Sequence, residues 1–140
     1  VSLAVRNYQS SLMASESQVL CSTLTSIVSD ELRYAGPVKW ENPISFYSRS
    51  YGRLCVFAQN EEHQVTLKPV DDIDYVGTGF NLLPGRAYHF GMGAEVEIKR
   101  KGTEDTFLVT VRISDSQNRE LVKNDFEVEK LNRDVDPTTP

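Results

Sequence analysis

Residues 1–36, VSLAVRNYQSSLMASESQVLCSTLTSIVSDELRYAG, contain no proline or glycine before Gly36, and Pro37 follows at once. Their periodicity decides the fold. Leu20, Leu24, Ile27, Val28 and Leu32 fall at i, i+4, i+7, i+8 and i+12 with Cys21 beside them, while Ser26, Ser29, Asp30 and Arg33 take the other side. This is the repeat of an amphipathic helix, and it gives the second half of the segment one face for a core, with Leu20, Leu24, Ile27 and Val28 as the residues that pack on a sheet. Ser22, Thr23, Thr25, Ser26 and Ser29 are mediocre helix formers, so tertiary packing has to hold this half together. Gly36 is expected to act as a left-handed cap, and Pro37 forbids continuation.

The first half behaves differently. A helix over residues 1–34 would be roughly 50 Å long, whereas a compact domain of this size is about 30 Å across. Val1, Leu3, Val5, Tyr8 and Leu12, with Ala4 and Met13, carry an apolar stripe that one small domain cannot cover. These residues are expected to form an assembly interface with another molecule. The alternative is that residues 1–13 fold back or pair with a second copy of themselves. The pattern also begins in mid-course and without a methionine, which is the expectation for a chain whose upstream segment has been removed.

After Pro37 the period changes from 3.6 to 2. Residues 44–47, 52–59 and 64–69 read as short strands, the last two joined through Asn60-Glu61-Glu62-His63 as a hairpin. Residues 71–79 read as a loop, 80–83 as a short extended piece, and Pro84-Gly85 as a turn. Residues 94–99, 107–113 and 125–130 complete the strands. Val96-Glu97-Ile98 and Val109-Thr110-Val111-Arg112-Ile113 alternate cleanly, which implies an antiparallel sheet with one covered and one wet face. The expected fold is therefore α+β: one long N-terminal helix packed on a single antiparallel sheet. The expected organisation is one domain over residues 1–132, helix to 36 and sheet from 37, with a flexible tail over 133–140.

Composition excludes several functions. A chain of 140 residues with net charge −5 offers no basic field for phosphate, and its Lys and Arg residues are scattered. No direct nucleic-acid contact is expected. No run approaches the ~20 apolar residues of a membrane helix. The two cysteines, Cys21 and Cys55, sit among apolar neighbours and read as buried thiols, with a Cys21–Cys55 disulfide as the alternative.

A catalytic set is hard to assemble from this inventory. The two histidines, His63 and His89, stand near no cysteine and share no ligand spacing. His63 reads as a solvated turn residue, and His89, between Tyr88 and Phe90, as a packed strand residue. Asp71, Asp72 and Asp74 lack the Gly and distal Glu of a specific calcium loop and read as a solvated acidic turn. Gly77, Gly79, Gly91 and Gly93 lack the helix N-terminus and Gly-Lys-Ser/Thr of a phosphate loop. No enzyme, cofactor or metal is expected. Trp40, Phe46, Tyr47 and Tyr51 offer an alternative function, an extracellular binding module for carbohydrate or protein.

The runs Val1-Ser-Leu-Ala-Val-Arg-Asn-Tyr and Ser15-Glu-Ser-Gln-Val-Leu-Cys-Ser-Thr-Leu-Thr-Ser-Ile-Val-Ser-Asp-Glu-Leu-Arg-Tyr-Ala-Gly36 resemble the post-membrane part of the first helix in type IV pilin-like proteins of Gram-positive anaerobes. Phe107-Leu-Val-Thr-Val-Arg-Ile-Ser-Asp-Ser-Gln-Asn-Arg-Glu-Leu, through Phe126-Glu-Val-Glu-Lys-Leu-Asn132, is similar to their last hairpin. The leader, cleavage site and nearby glutamate of that family have no counterpart in this sequence, and the C-terminal cysteine loop of Gram-negative pilins is absent. The resemblance implies a non-enzymatic pilus or pseudopilus subunit whose N-terminal helix packs against other pilin-like subunits. It further implies attachment to the cell membrane through an upstream segment before assembly, and a place on the cell surface afterwards.

Overall fold

The computed structural model describes residues 3–131, with side chains from Ser10 onward. Val1 and the 133–140 tail lie outside the described residues, as do the side chains of Leu3, Val5 and Tyr8. The fold is α+β: helix α1 (Leu3–Arg33, 31 residues) precedes eight strands that pair only antiparallel. At 1.5 Å per residue the helix is ~46 Å long. Leu20, Leu24, Val28 and Leu32 are buried, with Cys21 beside them, whereas Ile27 is only half-buried. Ile27 lies on the flank of the buried stripe, so the face centred on Leu24 and Val28 takes the core contacts.

The strands form two sheets, which corrects the expectation of a single one. Strands β1 (Val38–Lys39), β2 (Ser45–Ser48), β3 (Arg53–Gln59), β4 (Val65–Pro69) and β5 (Phe80–Asn81) make a five-stranded sheet in sequence order. Strands β6 (Gly93–Arg100), β7 (Thr106–Ser114) and β8 (Glu120–Glu129) make a three-stranded meander. The break has a local cause. Between β5 and β6 the chain passes through Pro84 and two 3-10 turns, Gly85–Ala87 and His89–Gly91, which carry it out of the ladder. The sheets then meet near one point, where Ala94 N–H donates to the His63 carbonyl (2.8 Å) and Gln59 Nε2 donates to the Ala94 carbonyl (2.6 Å).

The helix lies across β7 and β8 of the meander. Phe107, Val109, Val111 and Ile113 are buried, while Leu108, Thr110 and Arg112 alternate outward. In register with them, Val128, Phe126 and Asn124 share the inner face, and Asn124 Nδ2 donates to Thr25 Oγ1 on the helix (3.2 Å). The outer face is wet and ionic: Arg112 pairs with Glu95 and Glu120, and Thr110 donates to Asp125 (2.6 Å). Phe46, Cys55, Val65 and Leu67 of the five-stranded sheet join the same continuous core.

Gly36 is not the left-handed cap that its position suggests. The helix ends at Arg33, and Gly36 is buried where a Cβ would stand 2.9 Å from Tyr47 Cδ1; its N–H donates to the Tyr47 carbonyl (2.9 Å). Glycine is required here for close approach. The chain thus runs straight from the helix into an edge contact with β2.

Candidate functional site

The assembly surface expected from the sequence begins on α1. Among the described side chains, Ser10, Ser11, Ala14 and Ser15 are exposed, Leu12, Met13 and Glu16 are half-buried, and the first buried one is Ser17. Ser17 Oγ donates to the Ala14 carbonyl (2.8 Å), satisfying its hydroxyl within the helix. Of the expected interface residues, Leu12 is therefore described and partly accessible. Leu3, Val5 and Tyr8 lie on the helix in the turns before it. No helix among the described residues is long and apolar enough to cross a membrane.

The His89–Gly91 turn flanks this part of the helix, and sequence reading missed it. His89 is not a packed strand residue: its ring is half exposed and Nε2 lies 3.7 Å from Glu16 Oε2. Phe90 is 45% exposed. Tyr88 and Met92, on either side, are buried, and Tyr88 Oη accepts a hydrogen bond from Val65 N–H (3.0 Å). Aromatic residues on both sides of His89 imitate a strand, but the backbone at Phe90 (φ 57°) cannot continue one.

The four aromatics proposed for an alternative site have separate uses. Trp40 packs on Phe107 (ring centroids 4.8 Å apart) and lies under the Arg100 guanidinium at 4.5 Å. Phe46 is fully buried against Phe57. Tyr47 closes over Gly36, and Tyr51 stacks on Phe80 at 5.4 Å. Tyr75 joins Phe80 from the loop between β4 and β5, with Arg53 over its ring. That cluster, with exposed Ile73 and Val76 nearby in the chain, carried no periodic signal because it forms from three separate segments.

The remaining candidates are local features. Asp71 and Asp72 face Arg53 (3.2 and 4.0 Å), and Asp72 Oδ1 accepts from Asp74 N–H (2.9 Å), so the acidic turn is partly compensated and internally bonded. Among the described residues no group of three or more His, Cys, Asp or Glu side chains is placed to hold a metal. His63 is exposed in the β3–β4 turn beside a polar cleft of about 240 Å³ that also touches Glu95, Ser114 and Asp115. Cys21 and Cys55 are buried free thiols. Burial pushes the Cys55 thiol up to about 11 and raises that of Cys21 as well. Such thiols are poor nucleophiles at neutral pH.

No family model, curated protein or solved structure matches this chain.

Proposed function

We propose that this chain is the globular part of a type IV pilin-like or pseudopilin-like filament subunit, a structural protein to which we assign no reaction and no cofactor. The observation that supports this reading is the uneven cover of α1: among its described side chains, from Ser10 onward, those of Ser10–Glu16 are exposed or half-buried and buried ones begin at Ser17. Its C-terminal half is held by an antiparallel meander, and its N-terminal half offers a partly accessible Leu12, with Met13 packed at the edge of the core and apolar Leu3 and Val5 upstream in sequence. Burying apolar area contributes ~25 cal/mol per Å², so a few hundred Å² per contact supplies several kcal/mol before association costs. Repetition along a fibre multiplies that contribution.

In this reading the five-stranded sheet is an elaboration between the helix and the meander that covers it. The subunit is held at the membrane by an upstream hydrophobic segment and passes to the cell surface on assembly, with other pilin-like subunits as its partners. The genomic sequence upstream of Val1 tests this directly. A basic leader followed by ~20 apolar residues with a glutamate near their start is expected; an upstream folded domain would defeat the reading. In the full-length protein, Leu3→Asp with Val5→Asp should abolish fibres while residues 15–131 stay folded, because two charges would be buried without partners. Normal fibres from that double variant would count equally against it.

A further inference from the structure

Three segments far apart in sequence, within residues 59–63, 91–95 and 114–118, meet in the polar cleft of about 240 Å³ beside His63. The meeting is built tightly. A Cβ on Gly93 would stand 2.8 Å from His63 Cβ and 3.0 Å from its carbonyl oxygen, and one on Gly91 would stand 3.3 Å from Ser116 Cβ. Ala94 is held from both sides, its N–H by the His63 carbonyl and its carbonyl by Gln59 Nε2. Among the described residues the non-glycine positions with a left-handed backbone are His63 (φ 60°), Phe90 (φ 57°) and Asn118 (φ 63°). All three converge here: His63 and Asn118 line the cleft, and Phe90 adjoins Gly91 in its wall. Glycine alone would make either polar turn at no steric cost, so His63 and Asn118 bring to the cleft side chains that the backbone does not require.

The groups left over define what the cleft can take. The side chains of His63, Ser114, Ser116 and Asn118 hydrogen-bond no described residue, and each offers both a donor and an acceptor. The charges at the cleft are spent on one another. Glu95 pairs with Arg112 at 3.4 Å, and Asp115, its side chain 9% exposed, pairs with Arg119 at 2.9 Å. The site therefore selects neither an anion nor a cation, and among the described residues Ala94 alone brings an apolar side chain to its wall. We propose that this cleft binds one neutral sugar ring, whose hydroxyls donate and accept at once and so match Ser114, Ser116, Asn118 and the His63 imidazole. Its volume, about 240 Å³, lies below the ~300–1,000 Å³ of sites for drug-sized ligands and, at ~30 Å³ each, corresponds to about eight displaced waters. The cleft contains no residue of α1, so this inference stands independently of the filament reading.

The test is a titration of the full, isotope-labelled chain with methyl α-D-glucopyranoside, methyl β-D-galactopyranoside and methyl α-D-mannopyranoside, read as shifts of the backbone amide resonances. At least one of these probes should give saturable shifts concentrated in residues 59–63, 91–95 and 114–118. Half-saturation is expected at roughly 1–10 mM, the range for so small a ligand in an open cleft. His63→Gly and Asn118→Gly should each raise the half-saturation concentration at least about fivefold with little change in melting temperature, because each removes a polar contact from a turn that glycine makes readily. No saturable shift up to about 50 mM with any of the three probes overturns the site, as do shifts centred elsewhere or an unchanged affinity in both glycine variants. Tighter binding of glucuronate or glucosamine at the same amides overturns the assignment to a neutral ligand.

Discussion

Ser48 Oγ donates a 2.8 Å hydrogen bond to Glu31 Oε2, joining the last turns of α1 to the end of β2. Ser48 is fully buried, and its hydroxyl also accepts from Tyr51 N–H (3.3 Å). A hydrogen bond to a charged group contributes about 1.5–3 kcal/mol, so Ser48→Ala should lose stability of that order on urea denaturation. Glu31→Gln keeps an acceptor and should cost less. Equal losses would mean that the charge of Glu31 carries the whole contribution of the bond, and no loss from Glu31→Gln that the charge contributes nothing.

Leu24 and Ile27 provide an internal comparison on one helix. Leu24 is fully buried and Ile27 half-buried. Leu24→Ala should cost about 2–5 kcal/mol, and Ile27→Ala clearly less. A larger denaturation-midpoint shift for Ile27 would place the helix in a different rotation on the meander.

The thiols give a prediction with a definite sign. With its thiol raised to about 11, chiefly by burial, Cys55 stabilises the fold fully below the ordinary thiol range near 8.5 and loses that contribution as the pH rises through about 11. Cys55→Ala should therefore flatten the alkaline side of the stability curve between those values. In the native protein at pH 8 an aromatic disulfide reagent should label neither Cys21 nor Cys55 quickly, and both immediately in denaturant.

Asp115 sets the opposite limb. Its carboxylate accepts from the Arg119 and Gln117 backbone N–H groups (2.9 Å each) and from Arg119 Nε (2.9 Å), which hold it below its ordinary range. A lowered carboxyl stabilises the fold above its unfolded value, near 3.9, and that contribution disappears as the pH falls through the lower folded value. Asp115→Asn should thus reduce stability at pH 7, with a deficit that shrinks as the pH falls below the unfolded value. A deficit that does not change with pH would assign the effect to turn geometry instead of charge.

The helix, the β3–β4 hairpin and the alternation of β6 and β7 were legible because each is written in consecutive residues as a period. The first half of β8, Glu120-Leu-Val-Lys-Asn124, was not: it has no clean alternation and becomes a strand by pairing with β7 across an irregularity at Ile113/Ser114. The split into two sheets was equally hidden, since it depends on how two 3-10 turns redirect the chain. At the candidate surface, the stripe through Leu12 could be read from spacing alone. The meeting of Glu16 with His89 could not, because those residues are brought together only by the tertiary fold.

The Asn124–Thr25 hydrogen bond spans 99 positions, and the meander that covers α1 is the part of the described chain farthest from it in sequence. During synthesis the helix is therefore made first and sheltered last. Its Leu24 and Val28 face has no native cover until β7 and β8 have emerged, and contacts of such separation form slowly. A nascent chain of this design carries an apolar helix face without its native cover through that interval.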